Sequence, residues 1–387
     1  MSKKPTPLAD LDRETPLIWI NAGEASGDMH GAGLVLAARR LCPGARFTGM
    51  GGEAMRRAGV EVLHDSGLIS IVGLPAIFSA LPRLLGLLST LKAELKRLRP
   101  QAMVLIDCPE FNFRLAKIAH KLGIPVYYYI SPQVWAWRPG RVEFLRRYTR
   151  RILCILPFEQ DFYRSRGLDV DFVGHPLLDE LPLADLDTLP VDPLRVGILP
   201  GSRRREVETL LPLFAQAARE LLARQPGLRF SLFRAPGLDQ EFLARFWPSD
   251  LPTDLVQPAD RYAGMRRLAL ALAASGTVAL ETGLIGTPTI IAYRIAAFSY
   301  FLAMALVKVE FAGLPNLILN EPVFPELIQK RATPELMAAQ AWDWLSDPAA
   351  LAGVRARLAE LRERFGEPGA PGRAAAIILD DIGALTP

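Results

Sequence analysis

The 387 residues, 50% hydrophobic and 22% charged, describe a folded globular protein too long for one ordinary core, so two domains are expected. A formal net charge of +4 without any long lysine or arginine tract gives no argument for nucleic acid, and by itself does not separate anionic lipid from phosphorylated metabolites. Cys42, Cys108 and Cys154 are odd in number and widely spaced, which suits a reducing compartment and fits neither a disulfide framework nor a zinc knot. The polar, proline-rich start lacks a signal-peptide core, and no run reaches the roughly 20 apolar residues of a membrane span. A cytoplasmic protein that can touch a membrane surface is the expectation.

In chain order, the first strand, LIWIN, runs into the glycine-rich turn NAGEASGDMHG (Asn21 to Gly31) and then a helical stretch. Such turns usually cradle phosphate on backbone N–H groups, but Glu24 and Asp28 would repel one. An acidic loop of this kind suits hydroxyl groups, its glycines letting the backbone approach a sugar; the plainer alternative for Asp28 is a helix cap. The stretch from Leu68 to Pro100 is apolar for two thirds of its length and then basic, which suits a bilayer interface or acyl chains as well as a buried helix. AMVLID follows, and Asp107 at its end is placed either for general-base work or to cap the next helix. IPVYYYI leads to SPQVWAWRPGR, a loop whose two tryptophans and two arginines suit a sugar-stacking and anion-contacting surface or an aromatic plug in the domain interface. RILCIL and VDFVG complete a βαβ rhythm, read as a parallel, doubly wound sheet. His120 reads as structural, His175 as either structural or functional, and no two of the four histidines have metal-ligand spacing.

The periodicity stops from Asp179 to Leu194, read as a linker, and a second α/β rhythm follows. GILPGSRRREV sets Gly201, Ser202 and Arg203 between a strand and a helix, where amides, a hydroxyl and guanidinium forks suit a diphosphate. AASGTVALETG repeats the arrangement with Ser275, Gly276 and Thr277, and Glu281 one turn on can accept from ribose hydroxyls; ordinary helix capping is the alternative. A P-loop and a dinucleotide fingerprint are both excluded by spacing. AAFSYFLAMALVKVEF, from Ala296 to Phe311, is a second apolar run. GEPGAPG breaks the chain before a last apolar helix. The boundaries are then 1–178, 179–194, 195–365 and 366–387, the last a helix packing back on an N-terminal domain. Two Rossmann-like domains with parallel sheets would face a central cleft.

AGEASGD, IDCPEFN, SPQVWAWRPGRV, LPFE, FVGHPLLDE, LPGSRRREV, ASGTVALETG, PTIIAYR, LVKVEFAGLPNLIL and PELIQ occur in that order. Together they resemble the lipid-A-disaccharide synthase family of Gram-negative outer-membrane biosynthesis. The resemblance implies a GT-B fold and an inverting transfer without metal or cofactor, from UDP-2,3-diacylglucosamine to 2,3-diacylglucosamine 1-phosphate (lipid X), at the inner membrane's cytoplasmic surface. It implies functional importance for Asp107, Arg203 and Asn316; with the loop readings above, donor contacts are expected from Gly201, Ser202, Arg203, Ser275, Gly276, Thr277 and Glu281, and an acceptor side at Glu24, Ser26, Gln133 and Trp135. A homodimer is left open. After Asn316 the sequence LILNEP departs from the expected LLAGRE, losing a glycine and an arginine. The alternatives are another UDP-sugar enzyme of the same fold, such as a 2-epimerase, which needs no apolar acceptor surface, and a non-catalytic peripheral glycolipid-binding protein.

Overall fold

The computed structural model describes residues 15–68, 74–294 and 310–385, in two compact units: Met1–Pro176 with Pro368–Pro387, and Leu177–Glu367. The run from Ala296 lies outside the described residues up to residue 309, as do residues 69–73 of the other apolar stretch.

The first unit is built on seven parallel strands: β1 Leu17–Ala22, β2 Arg46–Gly51, β3 Glu61–Asp65, β4 Ala102–Ile106, β5 Val126–Tyr129, β6 Arg151–Cys154 and β7 Asp171–Phe172, in the order β3-β2-β1-β4-β5-β6-β7. The apolar runs of β1, β4 and β5 are almost wholly buried, as expected for central strands covered on both faces. β2 and β3 carry no such run and were not expected from sequence. β2 lies so close to β1 that a Cβ on Gly49 would fall 2.0 Å from the Ile20 carbonyl oxygen. Helices α1 (Ala25–Leu41), α2 (Glu53–Arg57), α3 (Leu74–Leu98) and α4 (Pro109–Lys121) connect the first strands.

The C-terminal helix Ala370–Asp381 belongs to this unit. Ile378 and Leu379 are buried on the sheet face that carries Ile18, Ile20 and Phe47, while Asp381 accepts from the Tyr127 hydroxyl (2.6 Å) and from Arg150 Nε (2.9 Å) and Nη2 (3.0 Å).

The second unit has six parallel strands: β8 Asp192–Leu199, β9 Arg229–Phe233, β10 Thr253–Val256, β11 Leu268–Ala274, β12 Thr289–Tyr293 and β13 Glu326–Ile328, in the order β10-β9-β8-β11-β12-β13. Residues 179–194 are not a bare connector: they carry the helix Leu183–Asp187 and the start of β8, and lie within this unit. Both sheets reverse their strand order once, between β1 and β4 and between β8 and β11. Doubly wound folds bind ligands at such switch points, beyond the carboxyl ends of the strands.

Candidate active site

In the first unit, register pairs Ala22 with Ile106, so the turns after β1 and β4 emerge side by side at the switch point. Asp107 and Cys108 both have left-handed backbones, φ 46° and 44°. For non-glycine residues this costs roughly 1–3 kcal/mol each and persists only where neighbours enforce it. Asn112 Nδ2 donates to the carbonyls of Ile106 (3.1 Å) and Asp107 (2.7 Å), and the Tyr128 hydroxyl donates to Asp107 O (2.7 Å). Asn21, at the end of β1, donates to Asn112 Oδ1 (2.7 Å), and both asparagines are fully buried. This network fixes the Asp107 backbone through its carbonyl and that of Ile106. Burial first, then repulsion from Glu24, raises the Asp107 pKa, against a lowering bond from the Cys108 N–H. Glu24 is exposed, and its side chain makes no cap bond to α1. Burial and these carboxylates push the Cys108 thiol up to about 12, too high for a nucleophile at neutral pH.

Ser26, half-buried, lies in the first turn of α1. Asp28 is buried and caps a helix other than its own: it accepts from the N–H groups of Gly52 (2.6 Å), Ala54 (2.8 Å) and Met55 (3.1 Å) at the start of α2. Gly27 and Gly31 fall inside α1, and a Cβ on Gly31 would sit 2.8 Å from Met55 Sδ. Gly31 thus serves the packing of α1 on α2, and Gly27 faces Ala22 and Ile106 at the strand ends.

Gln133 is exposed, and Trp135 is half-buried with Nε1 donating to Glu159 (3.2 Å) and its ring edge-on to Phe158. Glu159 is buried and accepts from the N–H groups of Ile155 (3.1 Å) and Leu156 (3.0 Å); burial raises its pKa to about 7 against those donors. Arg138 and Arg141 ion-pair with Glu110 at 3.2 and 2.6 Å, tying this loop to the α4 turn that follows Asp107. His175 is buried beside His30, and burial, then the neighbouring imidazole, lowers its pKa to about 3, so it is a neutral interior side chain.

In the second unit, Leu199 pairs with Ala273, which sets the turns after β8 and β11 side by side. Gly201 has φ 103°, and a Cβ there would lie 2.7 Å from Glu206 Oε2. Ser202 and Arg203 are exposed, Arg203 as the cap residue of the helix Arg204–Arg224. Arg203 donates to Glu206 from its backbone N–H (3.4 Å) and from Nη1 (2.8 Å). The hydroxyl of Tyr293, at the end of β12, has its pKa raised by burial and then by Glu206, against Arg203. Ser275 donates its N–H to Ala292 O (3.1 Å), and Gly276 caps the helix Thr277–Ile285. Glu281 is largely buried, 3.6 Å from Arg261; burial raises its pKa and Arg261 opposes. Asn316 is fully buried: Nδ2 donates to Phe324 O (2.7 Å) and Glu326 Oε1 (2.8 Å), and Oδ1 accepts from Phe324 N (2.7 Å). Among the described residues no three His, Cys, Asp or Glu side chains are grouped to hold a metal ion.

The residues that sequence reasoning missed are supporting ones: Asn21, Asn112, Tyr128, Glu110, Glu159 and Glu206. Most lie inside the quoted motifs, but a motif does not say whether a side chain faces a ligand or a neighbouring backbone.

Two Rossmann-like units with polar turns at the switch point of each sheet define the architecture shared by GT-B glycosyltransferases and UDP-sugar epimerases. The calicheamicin glycosyltransferase CalG4 matches with a TM-score of 0.62 at 15% identity, covering 96% of this chain and 100% of that one. UDP-GlcNAc 2-epimerase from Neisseria meningitidis matches at 0.58 and 11%, covering 94% and 98%. At such identities the likeness carries the fold alone. The sequence goes further: residues 18–378 match the family described as Lipid-A-disaccharide synthetase. The lipid-A-disaccharide synthase of Syntrophus aciditrophicus is 42% identical over 371 residues, covering 94% of this chain and 97% of that protein, and that of Myxococcus xanthus 40% over 374, covering 94% and 97%. This chain belongs to the lipid-A-disaccharide synthase family, and is a hexosyltransferase of lipid A biosynthesis.

Proposed function

We propose that the enzyme transfers the diacylglucosamine of UDP-2,3-diacylglucosamine to the 6-hydroxyl of 2,3-diacylglucosamine 1-phosphate, giving a β-1,6-linked disaccharide 1-phosphate and UDP. Asp107 removes the hydroxyl proton as the oxygen attacks the anomeric carbon from the face opposite UDP, which inverts the configuration. Charge growing on the diphosphate is met by Arg203, the Gly201–Ser202 amides and the Ser275–Thr277 turn, in the role a metal ion fills elsewhere. Diphosphate binding displaces Glu206 from Arg203, and Glu281 accepts from the ribose. Glu24, Ser26, Gln133 and Trp135 form the acceptor side, and Asn316 acts as a positioning residue. The observation that carries this reading is Asp107, held in a left-handed turn at the end of β4 with its carboxyl half-buried beside Glu24.

The acyl chains keep both substrates at a bilayer surface. Among the described residues no helix is long and apolar enough to cross a membrane. The exposed Leu85, Lys92, Lys96 and Arg97 on α3 support peripheral contact with an anionic leaflet. Incubation with both substrates in chelator, followed by mass spectrometry of the lipid fraction, tests the reaction. A disaccharide 1-phosphate with stoichiometric UDP is expected; a free or epimerised sugar would overturn the assignment.

A further inference from the structure

A cavity of about 390 Å³ lies in the second unit, at the opposite end of the sheet from the proposed diphosphate turns. Leu268 opens β11 and Ser275 follows its end, so about 20 Å of strand separates the two places. Three arginines form its polar wall. Arg355 donates to the carbonyls of Gly286 (2.7 Å), Leu268 (3.0 Å) and Ala269 (2.9 Å). Arg362 donates to Leu284 O (2.9 Å) and with its fork to Asp187 (2.7 and 3.2 Å).

Arg266 is different. Its side chain is only 19% exposed, and its Nε is buried without a hydrogen-bond acceptor among the described residues. Asp187 Oδ1 is 4.0 Å away, an oxygen that Arg362 already uses. That Nε is out of reach of a cavity ligand, but a guanidinium offers five donors, four of them on its Nη groups. The like charge also tells on Arg355, whose pKa is lowered to about 10 by burial and then by Arg266. Three cations face two carboxylates here, Asp187 and the exposed Glu363, while Leu284 and Leu358 form an apolar wall. Partly desolvated like charges call for a compensating anion. A tetrahedral oxyanion turns oxygens towards several guanidiniums at once, whereas a planar carboxylate engages one fork.

We propose that this cavity binds a small organic phosphate, with its phosphoryl oxygens on Arg266 and its apolar part against Leu284 and Leu358. The site is independent of the proposed reaction. Calorimetric titration of the full chain, with saturating UDP to occupy the diphosphate turns, compares hexyl phosphate, inorganic phosphate and hexanoate. Hexyl phosphate is expected to saturate and to bind at least tenfold more tightly than either other probe. Arg266→Gln should weaken it at least tenfold with UDP affinity unchanged. Ala359→Glu, at an exposed helical position on the cavity rim, should also weaken it and keeps the test open should Arg266→Gln fail to fold. No saturable binding, equal binding of hexanoate, or wild-type affinity in both variants would overturn the proposal.

Discussion

At the scale of single residues, the proposed reaction rests on a carboxylate whose environment works against its charge. Burial and Glu24 raise the Asp107 pKa, which makes it a stronger base and a less comfortable native side chain. Asp107→Asn is expected to lower kcat by ~10²–10⁴, the usual worth of a positioned base, with UDP affinity retained; near-normal turnover in a steady-state assay would remove Asp107 from that role. The same substitution should stabilise the fold. A carboxyl whose pKa rises on folding gives stability that is present below its unfolded pKa of about 3.9 and lost as pH rises through the folded value. The melting temperature of Asp107→Asn should therefore exceed that of the wild type at neutral pH, and the gap should close towards pH ~4. Glu24→Gln removes the repulsion, lowers the Asp107 pKa, and should move the acidic limb of the kcat/KM profile to lower pH. An unmoved limb would mean that the two carboxylates are uncoupled.

At the scale of elements, short polar contacts decide which segments hold together. Asp28 is the acceptor for three N–H groups that open α2, a helix of five residues too short to form by propensity. Asp28→Ala leaves these donors without it, and a loss of about 2–3 kcal/mol in urea denaturation is expected. The segment after Asn316 shows how a departure from family pattern is absorbed. Asn320 takes φ 57° and closes the helix Leu314–Leu319, a left-handed position that asparagine tolerates after glycine. Glu321, where an arginine was expected, pairs with Arg357 at 2.6 and 2.8 Å. Asn316 holds the far side of this turn on three hydrogen bonds, so Asn316→Ala should make residues 320–326 more sensitive to limited proteolysis while UDP affinity persists. Unchanged cleavage would argue against a positioning role. The strands missed from sequence have related causes. β2 contains two glycines, β3 is half-exposed, and β13 has three residues, so none presents an apolar run; their places come from hydrogen bonds to neighbouring strands.

At the scale of the molecule, the C-terminal helix makes the first unit discontinuous in sequence. Truncation after Glu367 removes Ile378 and Leu379, worth roughly 1.5–3 kcal/mol each in burial, along with the Asp381 bonds to Tyr127 and Arg150. It also uncovers Ile18, Ile20 and Phe47 on the sheet. Calorimetry of the truncated chain should show the first unit's transition lost or strongly lowered and that of the second, Leu177–Glu367, retained; an unchanged two-unit profile would contradict this.

Sequence alone determined the parallel α/β class, the places of the polar strand-to-helix turns and of Asp107, and the family. These depend on local order, in which a buried strand must be apolar and the turn after it must carry the polar groups. Tertiary structure decided what those turns do with their residues. Asn21 and Asn112 lie 91 positions apart and meet only because β1 and β4 are neighbours in the sheet. Asp28 finds its donors on another helix, and Asp107 owes its raised pKa to burial and to Glu24 from a different strand's turn. Hydrogen bonds and desolvation act through space over a few ångströms, and which residues come that close is fixed by strand order and not by spacing along the chain.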